Sequence, residues 1–260
     1  MVRPTDGERP TPRRQRAWND LGGLDGETGL APPGHTDDGE PRIPAVGGLS
    51  IGIQRRKMLA GSLTVAGRRE GRLHVDTGLL PDAFAWTSRV VGEVKPDQLA
   101  LPTPCEDWTV RMLVNHMVGA LQAFAEGVPN GRVSPQVDPS DDDLSGEDPA
   151  GAYHASWPGV LDAWAAADAD GATEFPWGPM PNTIAVQLLV LESTVHGWDL
   201  ATATGQDVAI PEQLTAATAE LATMLFADPA MRGHDFKPPI EVSDDAGPTA
   251  SLVAFLGRHS

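Results

Sequence analysis

Glu192, His196 and Asp199 sit in the most informative stretch of the chain, Ile184-Ala-Val-Gln-Leu-Leu-Val-Leu-Glu192-Ser-Thr-Val-His196-Gly-Trp-Asp199-Leu. At about 100° per residue they fall near 0°, 40° and −20°, one narrow stripe of a helix. Every residue from Ile184 to Leu191 except Gln187 is apolar, so the helix that carries the stripe is expected to be buried nearly all round. An ionised carboxylate is costly to bury without a cation or strong donors. A divalent metal is such a cation, and the i, i+4 spacing brings the Glu192 carboxylate and the His196 imidazole to a common point, as in helical zinc sites. His116 is the candidate third ligand, placed among Leu113, Met117 and Ala120 at the flank of another apolar stripe. Two plainer readings stay open on spacing alone: a hydrogen-bonded core histidine at His116, and an ordinary i, i+4 pair at Glu192 and His196.

These residues need helices to hold them, and the chain supplies helical runs from Leu79 onward. Pro81 to about Glu93 carries Phe84, Trp86, Val90 and Val91 and closes before Lys95-Pro96. A second helix follows Asp107, a plausible N-cap, with Val110, Leu113, Val114, Met117, Leu121 and Phe124 at three- and four-residue spacing up to Gly127. Ala150 to Ala167 reads as a third, with Pro158 tolerable at a kink. The rigid loop Pro176 to Pro181 leads to the fourth, capped by Asn182 or Thr183 and stopped by Gly205. Pro211 to Ala227 forms a fifth, and Leu252 to Leu256 a short terminal segment. No strand pattern of useful length is visible, so the expectation is an all-α, up-and-down bundle over residues 77–260 with additional short C-terminal helices.

Residues 1–76 read differently. Pro, Gly, Arg and Asp dominate, with scarcely any periodic apolar face, and this N-terminal extension is expected to be disordered. A sharper form of the same reading starts translation downstream, near Met58 or Val75. Charge divides along the same line: residues 1–80 hold 12 Lys/Arg against 10 Asp/Glu, and residues 81–260 hold 7 against 26. So acidic a domain repels phosphate backbones and anionic membrane surfaces, which argues against nucleic acid and membrane partners. The single cysteine, Cys105, excludes an intrachain disulfide and a Cys-based zinc ribbon. No apolar run approaches a membrane span, and the expectation is a soluble, cytoplasmic protein, monomeric or homodimeric. The acidic run Asp141-Asp142-Asp143 is most simply a solvated loop, because the glycine and the bidentate Glu of a calcium-binding loop do not follow.

Two motifs resemble a known family. Pro102-Thr103-Pro104-Cys105-Glu106-Asp107-Trp108-Thr109-Val110-Arg111, followed by Leu113-Val114-Asn115-His116-Met117-Val118-Gly119, is similar to the opening of the mycothiol-dependent maleylpyruvate isomerase N-terminal domain, within the DinB-like metalloprotein superfamily. Glu192-Ser-Thr-Val-His196-Gly197-Trp198-Asp199-Leu200-Ala201, then Ala203-Thr204-Gly205, is the second match. The resemblance spans about residues 77–260. It implies a DinB-like four-helix bundle with a divalent metal, usually zinc, on His116, Glu192 and His196, and mycothiol as thiol cosubstrate or cofactor. The family's isomerase has a sterol-carrier-like C-terminal domain, which the short C-terminus here cannot contain.

Two imidazoles and one carboxylate leave a divalent ion near +1 with an open position, the mark of catalytic rather than structural zinc. A thiol there would be deprotonated and could add to a small electrophile, as in a transferase or isomerase; a bound water would instead serve a hydrolase. The third alternative is a non-catalytic bundle whose ligands stabilise the fold. Asp199 can orient His196 or a ligand amine from behind the ring, or face solvent near the helix end. Trp177, Met180 and Trp198 are candidate walls of the site, or plain core. Cys105 reads as a small buried residue of the loop before the second helix, with the exogenous thiol taking the chemical role. Arg111 is the nearest cation in sequence.

Overall fold

The computed structural model describes residues 66–69, 72–105, 107–134, 138–140, 143–232, 236–243 and 245–259. The expectation of a disordered leader therefore lies outside the described residues up to 65, Met58 included. Among the described residues the fold is mostly helical: β1 (Ala66–Arg69), β2 (Arg72–His74), α1 (Leu80–Gly92), α2 (Val110–Gly127), α3 (Pro149–Ser156), α4 (Pro158–Ala166), β3 (Ala172–Phe175), β4 (Gly178–Pro181), α5 (Asn182–Thr204), α6 (Glu212–Phe226) and α7 (Pro248–Phe255). No helix among them is long and apolar enough to cross a membrane.

The two antiparallel hairpins correct the expectation of an all-α chain. In β1–β2, Ala66 pairs with His74 and Arg69 with Arg72, in a stretch whose three- and four-residue strands are too short to show alternation. The next residue is anchored on the helices: Val75 is buried, and its N–H donates to Ala167 O at 3.2 Å. In β3–β4, Phe175 pairs with Gly178 across a two-residue loop. Gly178 has φ 117, open to a residue without Cβ. Thr173 and Phe175 point inward in turn, a period-2 pattern hidden by its brevity.

Pro158 does more than kink a helix. It separates α3 from α4 at Trp157, because its ring leaves no N–H to donate and crowds the preceding turn. Ser156 Oγ donates to the Tyr153 carbonyl there, at 2.8 Å. The cap of α2 is Thr109, whose Oγ1 accepts from Met112 N; Asp107 instead takes a left-handed φ of 65 in the loop before it. Neither Asn182 nor Thr183 caps α5. Pro181 holds the N-cap position, and the Asn182 side chain is spent on Asp168 O and Thr173 Oγ1, tying β3 to the start of the helix.

α5 is the axis of the molecule. It packs against α1 on one side, α2 and α6 on others, while α2 also meets α3 and α4. Leu189, Leu191, Val195, Leu200 and Ala201 are buried around its circumference, as its apolar text requires. Gly197 sets the approach of α1: a Cβ there would stand 2.5 Å from Trp86 Cζ3 and 2.9 Å from Thr87 Oγ1. That closeness lets Thr87 Oγ1 donate to Ser193 O at 2.9 Å, and Ser193 Oγ in turn meets Tyr153 OH at 3.0 Å. Helix propensity alone favours Ala over Gly. Gly197→Ala is nonetheless expected to lower stability by about 1–3 kcal/mol through overpacking, read by denaturant unfolding; an unchanged or raised midpoint would show that α1 can simply step aside.

Candidate metal centre

α2 and α5 meet where the two motifs meet. Thr109 starts α2 so that His116, two turns on, faces α5, and it is buried. The His116 and His196 rings lie 5.0 Å apart at 83°. The expected stripe on α5 is formed: Glu192 Oε2 is 3.2 Å from His196 Nε2 and 4.0 Å from His116 Nε2. All three ligand atoms lie within 4.8 Å of one another, a set that could hold a metal ion. The side chains of His196 and Glu192 keep 13% and 16% of their exposure, whereas His116 keeps 3%, so the group opens toward solvent on the α5 side.

Asp199 lies behind His196, fully buried rather than at a solvated helix end. Its Oδ2 is 3.2 Å from His196 Nδ1. Arg258, which no local pattern in the sequence marks, donates from Nε to Oδ1 at 2.7 Å and from Nη2 to Oδ2 at 3.0 Å. A carboxylate so paired can only accept, so His196 Nδ1 carries the hydrogen and Nε2 is the nitrogen turned toward Glu192. Cys105 is half-buried, with Sγ 3.2 Å from Asp199 Oδ2 and 3.7 Å from His196 Nδ1. Cys105, His196 and Asp199 thus form a second group with metal-ligand atoms close together, but there both carboxylate oxygens are already held by Arg258.

Charge follows from these contacts. Burial would raise the Glu192 pKa, but the imidazoles of His116 and His196 outweigh it and hold the carboxyl at about 2. Burial lowers His116 below the usual histidine value. Burial also opposes charge on His196, yet the carboxylates of Asp199 and Glu192, each 3.2 Å from a ring nitrogen, prevail and raise it above the usual value. Arg258 and His196 overcome the burial of Asp199 and keep it ionised, at about 2. Burial, with Asp199 beside it, pushes the Cys105 thiol up, which keeps it protonated and makes it a donor rather than a nucleophile.

Other candidates are elsewhere. Arg111 Nη1 donates to Asp143 Oδ1 at 2.8 Å and to Gly146 O, securing the acidic loop; Asp141 and Asp142 lie outside the described residues. The aromatic ring against the imidazoles is that of Trp108, with centroids 4.6 Å from His116 and 6.3 Å from His196. Trp177 stacks on Phe175 at 5.1 Å on the β3–β4 hairpin, Met180 packs against the core from β4, and Trp198 is buried in the core.

A family model described as the mycothiol maleylpyruvate isomerase N-terminal domain matches residues 80–201, which takes in both motifs. Two proteins of Mycobacterium tuberculosis, described as Uncharacterized protein MT0763 (strain CDC 1551 / Oshkosh) and Uncharacterized protein Rv0738 (strain ATCC 25618 / H37Rv), are each 32% identical over 182 residues, 68% of this chain and 92% of theirs. Among solved structures, the crystal structure of the mycothiol-dependent maleylpyruvate isomerase is similar at 17% identity and a TM-score of 0.42, covering 58% of this chain and 70% of that one. A mutant of the same enzyme is similar at 18% and 0.43, with the same coverage.

Proposed function

The chain belongs to the mycothiol maleylpyruvate isomerase N-terminal domain family, and from that premise we propose that it is a zinc-dependent enzyme that activates mycothiol at His116, Glu192 and His196 for transfer to, or isomerisation of, a small electrophile. The observation that carries this reading is the convergence of His116 Nε2, Glu192 Oε2 and His196 Nε2. Zinc takes nitrogen and oxygen ligands at about 2.0–2.1 Å, which at tetrahedral angles puts ligand atoms about 3.4 Å apart. The 3.2 Å and 4.0 Å separations bracket that value, so the donor set fits. We further read α1, α2, the α3–α4 pair and α5 as the four-helix core of a DinB-like bundle over residues 77–260, acting in the cytoplasm.

When bound, the ion would supply Lewis acidity that lowers the pKa of a coordinated thiol. The chain does the rest. Glu192 contributes the one negative charge of the ligand set, leaving a cationic centre for an anionic sulfur. Asp199 holds the His196 ring with Nε2 forward. Cys105, kept protonated, does not compete with an incoming thiol. Substrate reaches the group past His196 and Glu192, the two ligands with solvent exposure, while Trp108 covers His116.

Elemental analysis of purified protein, followed by titration of the cobalt-substituted form with mycothiol, tests this reading. About one metal per chain and a thiol-dependent change in the visible spectrum are expected. Absence of metal would end the proposal, and a cobalt spectrum indifferent to mycothiol would move the chemistry to a metal-bound water.

A further inference from the structure

Arg258 is only 8% exposed, yet it carries a full charge into the protein. It spends that charge on Asp199, through two parallel hydrogen bonds of 2.7 Å and 3.0 Å, the fork-to-fork geometry in which Arg excels. Its Nη1 donates to Leu256 O at 3.4 Å, and its guanidinium lies 5.5 Å from the Phe236 ring centroid. A buried ion pair is weak as a device for stability, since well-packed apolar residues serve as well or better. What it fixes well is position. Asp199 Oδ2 is the atom that meets His196 Nδ1, and its place is set by Arg258 Nη2 on the other side.

The backbone that delivers Arg258 is equally specific. Gly257 follows α7 at φ 78, and a Cβ on it would stand 2.6 Å from both Lys237 Cβ and Lys237 O. Only glycine turns the chain there. Arg258 N donates to Val253 O at 2.9 Å, closing the end of α7. Arg232, itself buried, bonds Lys237 O and Phe255 O at 2.9 Å and 2.8 Å and fastens the same corner from outside.

We propose that Arg258 is a positioning residue for the metal centre: from the α7 corner it clamps Asp199, so that Asp199 turns the His196 ring with Nε2 toward Glu192 and His116. The inference rests on the zinc reading above and extends it to a residue outside both motifs. Coupling of this kind is reciprocal. If the docked corner tightens zinc binding, zinc must tighten the docking of the corner by the same factor.

Zinc affinity is measured by chelator competition for wild type, Arg258→Gln, Arg258→Lys, Asp199→Asn and the double variant, with near-UV circular dichroism to confirm the fold. Arg258→Gln and Asp199→Asn should each weaken zinc by about 10–100-fold, the range for partners behind a ligand. Arg258→Lys should recover only part, because an ammonium cannot make the paired bonds. The double variant should bind as Asp199→Asn does, since Arg258 acts only through Asp199. That comparison also serves if Arg258→Gln, with its stranded carboxylate, does not fold. Zinc should slow amide hydrogen exchange at Gly257 and Arg258 in wild type and leave it unchanged in the double variant. Wild-type affinity in folded Arg258→Gln, a further tenfold loss in the double variant beyond Asp199→Asn, or zinc protection that stops at α5 would each overturn the proposal. Zinc that binds wild type but ignores these substitutions removes the role of Arg258 alone; a wild type that binds no zinc removes the metal centre with it.

Discussion

Glu192→Gln is expected to leave the purified protein without zinc after dialysis, while wild type keeps about one ion per chain. The substitution preserves size and shape and removes one charge. Of the three proposed ligands Glu192 is the only anion, and its neighbours in the group are two imidazoles, which the Trp108 ring lies against. Without it a divalent ion would retain its whole charge in a half-closed place from which water is largely excluded, at a desolvation cost that two neutral nitrogens cannot offset. The loss should therefore exceed the roughly 100-fold upper end found for groups that merely support a ligand. His116→Ala and His196→Ala should behave alike. Thermal unfolding gives a second reading, because a ligand that binds only the folded state raises its stability: added zinc should raise the wild-type Tm and leave that of Glu192→Gln where it was. If Glu192 were instead half of an ordinary helical ion pair, Glu192→Gln would hold zinc as wild type does, or zinc would shift neither Tm.

The grouping of His116, Glu192 and His196 was legible in the sequence for a local reason. Glu192 and His196 are one turn apart on a helix whose text is apolar all round, so burial and shared face follow from a single segment. His116 needed one further step, the expectation that its helix packs on theirs. Arg258 had no such route: 59 residues separate it from Asp199, its segment is short, and nothing in Leu256-Gly257-Arg258 announces a partner. The same contrast runs through the fold. α1, α2, α5 and α6 are long enough for a 3.6-residue period to register, and their bounds fall close to the expected ones. The hairpins are three or four residues per strand, below the length at which alternation can be told from chance. Caps failed for a subtler reason. Asp107, Thr109, Asn182 and Thr183 all have suitable side chains, and the choice is made by the path of the incoming loop: Asp107 is in a left-handed turn, and Asn182 is claimed by β3.

Zinc binding at pH 7 is expected to release about one proton per ion, and affinity should rise about tenfold per pH unit below the His196 pKa. The proton comes from His196. In the metal-free protein burial works against its charge, but the ionised Asp199 and Glu192 raise its pKa above the usual value, so both ring nitrogens carry hydrogen at neutral pH. Nδ1 keeps its hydrogen for Asp199; Nε2 must give its own up to offer a lone pair. His116 contributes none, since burial has already lowered its pKa and left it neutral. The sign for the metal-free protein runs the other way. A raised histidine stabilises the fold fully below its unfolded value, about 6.5, and that contribution fades as pH climbs through the folded value. Glu192, held at about 2, stabilises above its unfolded value near 4.5 and loses that contribution as pH falls toward 2. The metal-free pair is thus most stabilising between about 4.5 and 6.5, whereas the zinc-loaded protein should gain over it as pH rises beyond that window. Calorimetry in two buffers of different ionisation enthalpy counts the protons. Cys105→Ser sharpens the count: an ion on His116, Glu192 and His196 leaves the raised thiol protonated, so the substitution should not change the release, whereas an ion on Cys105, His196 and Asp199 would expel the thiol proton and lose it in the variant. No proton released at pH 7, or a release that depends on Cys105, would refute the arrangement in which Nε2 of His196 faces the metal.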